Sequence, residues 1–120
     1  MSAVLVLGLD PQFVSPERMG GFSPAVVRAY LEAQIQRIGG LGHEVESCLV
    51  DFGETAERVL TEHLRKRTFD CVMIGAGVRA EEQLLLFEKL LNVVHVLAPR
   101  AKICFNSSPA DSAEAVQRWL

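Results

Sequence analysis

Gly75, Gly77 and Ala80 fall in the run IGAGVRA at positions 74–80 with the spacing G-x-G-x-x-A, directly after the apolar segment CVMI. Where a strand gives way to a helix, glycines let backbone N–H groups come close to an anion, and the helix amino terminus adds favourable electrostatics. Arg79, inside the same run, can add a charge-assisted hydrogen bond. The chemistry offered by this spacing is recognition of a small anion. A competing reading gives the glycines only a tight turn to make. A dinucleotide is not expected, because its fingerprint belongs to the first strand-to-helix turn and is followed about 20 residues later by an acid for the ribose. Here the run follows the third apolar segment, and the fourth ends at Asn106 with no acid in that place. No cofactor is expected.

Other polar residues end the remaining apolar runs. Gly8 and Asp10 close the first, and Pro11 then directs the chain away. Asp10 either caps a turn or presents a carboxylate beside Asp51 or Arg79. Asp51 reads as the cap of the helix that begins just after it. Asn106, Ser107 and Ser108 form the most polar loop of the carboxyl half, suited to donate to an anion or to open a helix. Asp10 and Asp111 are the acids placed for catalysis. His43, His63 and His95 lie before a strand and within two helices, without metal-ligand spacing, so no metal site or general base is expected from them. Cys48, Cys71 and Cys104 each sit inside an apolar run and read as buried core thiols in a reducing compartment.

These residues need a scaffold, and the hydropathy pattern supplies one. Residues 4–7, 44–50, 71–74 and 102–105 are short β-friendly runs without strict alternation, which suits strands covered on both faces. A first helix is predicted from Ser23 as cap and Pro24 in the first turn, with Val27, Leu31, Ile35 and Ile38 on one face and Gly39-Gly40 as its end. A second spans about residues 54–67, with Ala56, Val59, Leu60 and Leu64 inward and charges that match the helix dipole. A third spans about residues 81–98 and is stopped by Pro99; being apolar on nearly every side, it wants cover on more than one. The last begins near Ser108-Pro109 or Asp111 and runs to Trp119-Leu120.

Four such strand–helix units predict one α/β domain over residues 1–120: a three-layer, flavodoxin-like (Rossmann-like) open parallel sheet in the order 2-1-3-4. In such sheets ligands bind beyond the carboxyl ends of the strands, where the strand order reverses. The predicted ligand-binding residues are therefore Gly8, Asp10, Gly75, Gly77, Arg79, Asn106, Ser107 and Ser108. The irregular stretch at 11–22 is longer than an ordinary strand-to-helix loop and reads as a lid or an excursion.

Residues 4–10, 71–79, 101–107 and 111–120 together resemble, in layout, the skeleton of a small SGNH/GDSL-type hydrolase. The resemblance implies a serine after the first strand, a glycine and an asparagine on the middle loops, and an Asp-x-x-His pair before the last helix. In this chain Gly8-Leu9-Asp10-Pro11 stands where the serine belongs, Gly77 has no accompanying asparagine, and Asp111 is followed three residues on by Glu114. A serine nucleophile needs a base within hydrogen-bond reach. The resemblance thus carries over shape, and a hydrolase of this kind would work through carboxylates, Asp10 and Asp111. A phosphoacceptor receiver is excluded, since Asp10 lacks an adjacent acid and the third strand ends in Gly75.

Composition bounds the partners. The chain has 120 residues, 49% hydrophobic, with a formal net charge of -3. Only Arg65-Lys66-Arg67 concentrates positive charge, so a nucleic-acid partner is not expected. No segment is long enough to span a bilayer, and the apolar start lacks the marks of a signal peptide, which predicts a cytoplasmic protein. The expected partners are a small anionic ligand and a second copy of the chain, joined through the apolar third helix around Leu85, Leu86, Leu90 and Val93.

Overall fold

The computed structural model describes every residue except Pro16, Arg18 and Met19. Part of the 11–22 loop, and with it the lid reading, therefore lies outside the described residues. Four parallel strands form one sheet in the order β2-β1-β3-β4: β1 (Ala3–Leu9), β2 (Glu44–Val50), β3 (Cys71–Ile74) and β4 (Lys102–Phe105). Four helices connect and cover them: α1 (Pro24–Gly40), α2 (Ala56–Lys66), α3 (Leu84–Leu97) and α4 (Ser112–Gln117). The predicted three-layer architecture and strand order are present.

The sheet divides the core in two because successive side chains point to opposite faces. Leu5 and Leu7 of β1 join Val72, Ile74, Leu60, Leu64, Leu86, Leu90 and Val94 on the α2/α3 side. Val4 and Val6 join Cys71, Met73, Cys104, Ile38, Ala113 and Val116 on the α1/α4 side. All three thiols are buried, as their apolar settings predicted. Burial pushes the Cys48 thiol up to about 12, which keeps it protonated and apolar.

The helix ends depart from expectation in informative ways. Ser23 caps α1 by accepting from the Val26 N–H at 3.2 Å, but Gly39 and Gly40 stay helical, and the left-handed residue is Gly42, with φ 97°. Residues 81–83 form a short 3-10 turn before α3. This helix is covered along one stripe only. Leu86 and Leu90 are buried, whereas Leu84, Leu85 and Val96 are 62%, 76% and 70% exposed. The expected self-association surface therefore cannot include Leu86 or Leu90, which are already spent on the core. Helix α4 stops at Gln117, short of the predicted Trp119-Leu120.

Candidate ligand-binding site

On the α1/α4 face, β1 presents Val4, Val6 and then Gly8, while β3 presents Cys71, Met73 and then Gly75. Each strand thus runs out of side chains at the third position on this face. The two glycines are neighbours across the β1–β3 ladder, which pairs Leu7 with Ile74 just before them, and the Gly75 N–H donates to the Leu7 carbonyl at 2.8 Å. Their missing side chains leave a cavity of about 330 Å³ at the carboxyl ends of β1 and β3, the point where the strand order reverses.

Neither Gly75 nor Gly77 has a positive φ. The run nonetheless makes the tight turn that one reading of its glycines expected, without left-handed backbone: the Val78 N–H donates to the Gly75 carbonyl at 3.2 Å and the Arg79 N–H to the Ala76 carbonyl at 3.1 Å. A Cβ on Gly75 would meet the Leu7 carbonyl oxygen at 3.4 Å, and one on Gly77 would meet Leu9 Cδ1 at 3.3 Å. Their absence of a side chain serves close packing against β1.

The walls are apolar. Val6, Leu9, Met73, Tyr30 and Leu31 enclose the cavity together with Val14 and Phe22 from the loop that follows β1. Phe22 leans on Tyr30 with ring centroids 6.3 Å apart. Apart from the Tyr30 hydroxyl, the polar side chains of the lining are Asn106 and Ser112, which join Gly75, Ala76 and Gly77. Among the described residues, the Ala76 and Gly77 N–H groups have no hydrogen-bond partner.

Arg79 governs this polar side without lining it. Its Nη2 donates to the Asn106 Oδ1 at 2.9 Å and to the Asn106 carbonyl, and its Nε reaches the Gly75 carbonyl at 3.4 Å. The guanidinium lies over the Phe105 ring, 4.8 Å from its centroid, a cation–π contact. Partial burial lowers its pKa from the ordinary value, yet arginine keeps its charge. Because arginine only donates, it fixes the amide oxygen of Asn106 toward itself and leaves Nδ2, which donates to Ser112 Oγ at 3.3 Å.

The other predicted site residues sit on the same rim but have internal partners. Asp10 accepts from the Gln12 N–H at 3.1 Å, capping a short 3-10 turn, and pairs with Arg28 at 2.8 Å rather than with Asp51 or Arg79. Asp51 accepts from the Gly53 and Thr55 N–H groups and from the Thr55 hydroxyl, so it orders the turn ahead of α2, while the cap position it was expected to fill belongs to Thr55. These bonds, the Gly53 N–H foremost, hold its carboxyl below the ordinary range. Asp111 accepts from the Ser107 hydroxyl and from the Ser107 and Ser108 N–H groups, which likewise lowers its pKa. Ser107 and Ser108 are thus engaged in the start of α4, outside the cavity lining.

Two features are not legible in the residue pattern. Gln34, buried on α1, accepts from the Ala113 N–H at 3.2 Å and from Arg37 at 3.1 Å, while Arg37 also holds the Ala110 carbonyl at 3.0 Å and Glu114. This clamp seats α4, and Ser112 with it, against α1. The aromatic wall of Phe22 and Tyr30 also went unread, since Tyr30 lies off the α1 stripe that marks the core. The histidines stand apart from the cavity. His63 bonds Glu46, His95 is exposed on α3, and His43 precedes β2 at the opposite strand end. Among the described residues no group of three or more His, Cys, Asp or Glu side chains is arranged to hold a metal ion. No helix among them is long and apolar enough to cross a membrane. Compared with models of known protein families and with curated proteins, the chain matches none.

Proposed function

We propose that this chain is a small-molecule-binding module that holds a small anionic metabolite at the carboxyl ends of β1 and β3. The observation that carries the reading is the pair Gly8 and Gly75, whose missing side chains open an apolar cavity with hydrogen-bond donors along one side. A concave, mostly apolar pocket with a few convergent polar groups is the usual form of a small-molecule site, and about 330 Å³ lies at the small end of that range. Binding is favoured over hydrolysis because the two acids a carboxylate mechanism needs are committed elsewhere, Asp10 to Arg28 and Asp111 to the loop before α4. A cytoplasmic setting, where the three thiols stay reduced, belongs to the same proposal.

A panel of small metabolites, read by thermal shift, tests it. A saturable rise in Tm with at least one anionic compound is the expected result. Uniform failure of the panel contradicts the reading.

A second, compatible reading is self-association through α3. Leu84, Leu85 and Val96 are its exposed large apolar residues, and two-fold homodimers are the commonest assemblies. Sedimentation equilibrium is expected to give a dimer mass; a monomer at high protein concentration overturns this reading.

A further inference from the structure

The polar side of the cavity is built from donors, which restricts what can sit against it. The Ala76 and Gly77 N–H groups are unpaired among the described residues. Asn106 Nδ2 uses one proton on Ser112 Oγ and keeps a second, and the Ser112 hydroxyl, having accepted that bond, retains its own proton to give. Asn106 Oδ1, the acceptor that would otherwise compete, is held by Arg79. A ligand group here must therefore accept several hydrogen bonds at once. The positive charge of Arg79, one residue removed from the lining, favours an anion. The remaining walls are aliphatic and aromatic, with the Tyr30 hydroxyl their one polar side-chain group, so the body of the ligand is expected to be mainly apolar, because a polar group set against the aliphatic walls would be desolvated without a partner.

We infer that the anion taken by this site is a monocarboxylate with a compact apolar body, its carboxylate against Ala76, Gly77, Asn106 and Ser112 and its body against Val6, Met73 and Tyr30. Compact polyanions such as phosphate or citrate do not suit the cavity, since only one of its sides can satisfy charge. This inference rests on the proposed binding function and narrows it. Arg79 acts in it as a positioning residue, setting the orientation of the Asn106 amide.

The test is an amide NMR titration of the whole chain with phenylacetate, 2-phenylethanol, inorganic phosphate and citrate in parallel. Phenylacetate is expected to shift the Gly8, Gly75, Ala76, Gly77 and Asn106 amides saturably and at least tenfold more tightly than 2-phenylethanol. Asn106→Leu is expected to weaken phenylacetate at least tenfold while leaving 2-phenylethanol nearly unchanged, which a merely structural role for Asn106 would not do. Equal affinity for acid and alcohol overturns the carboxylate assignment and leaves the cavity as a binding site. Phosphate or citrate shifting these amides without phenylacetate overturns the apolar-body assignment alone. Silence from all four compounds overturns the inference; a hit elsewhere in the metabolite panel would then keep the broader reading alive.

Discussion

Gly75 approaches Gly8 so closely that a Cβ added to it would stand 3.8 Å from the Gly8 Cα and 3.4 Å from the Leu7 carbonyl oxygen. A Cβ on Gly8, by contrast, would meet only the flexible Leu49 side chain, at 3.8 Å. The two glycines together open the cavity, but only Gly75 is constrained by backbone.

Gly8→Ala is accordingly expected to leave stability unchanged or raise it by up to about 1 kcal/mol, since glycine within a strand costs roughly that much relative to alanine. Gly75→Ala should be the less stable of the two variants. Urea unfolding of the pair checks the order, and the reverse order contradicts the packing account.

Arg79→Ala removes the donor that ties Asn106 to the Gly75 loop. Losing hydrogen bonds to a charged group is expected to cost about 1.5–3 kcal/mol. Arg79→Lys should recover only part of this, because an ammonium lacks the planar fork. Denaturant midpoints of both variants measure the effect, and full rescue by lysine would argue against the fork.

Asp51 and Asp111 are held below the ordinary carboxylate value by the hydrogen bonds they accept. A carboxyl whose folded pKa is depressed contributes stability that is present above its unfolded pKa, about 3.9, and is lost as pH falls through the lower folded value. Their contribution should therefore be constant between pH 7 and about pH 5 and decline below about pH 4. Asp51→Asn and Asp111→Asn are each expected to lower Tm at pH 7 and to flatten the acid limb of a Tm-against-pH profile. A limb as steep as in the unaltered chain would contradict the assignment.

Leu86 and Leu85 are adjacent in sequence and opposite in role. Leu86 is 7% exposed in the core and Leu85 is 76% exposed. Leu86→Ala is expected to cost about 2–5 kcal/mol, whereas Leu85→Glu should leave the unfolding midpoint within about 0.5 kcal/mol and dissociate any dimer formed through α3. Chemical denaturation and sedimentation of the two variants separate these outcomes.

The strand order and the rim of polar loops were legible because apolar runs of four to seven residues alternate with amphipathic helices, and parallel connections leave few ways to arrange them. The spacing of Gly75 and Gly77 drew attention to the right loop. The turn expected there is present, but one-dimensional spacing cannot tell a glycine that adopts positive φ from one that only makes room, and it cannot reveal that Gly8 and Gly75 come side by side. Asp10, Ser107 and Ser108 looked like ligand contacts because they end strands, yet Arg28 and Asp111, 18 residues away and at most four residues away respectively, satisfy them. Gln34 was invisible as a clamp, since a glutamine on a helix reads as solvated until the Ala113 N–H is found against it.

The central claim is that the space beside Gly8 and Gly75 is where a ligand binds. Its most direct measurement is the ligand-induced Tm shift of Gly8→Val against the unaltered chain, with phenylacetate or any hit from the metabolite panel. The valine side chain fills the cavity floor, so the variant is expected to fold, to unfold cooperatively near the same temperature, and to show no ligand-induced shift. An equal shift in both proteins would place the ligand elsewhere and contradict the account.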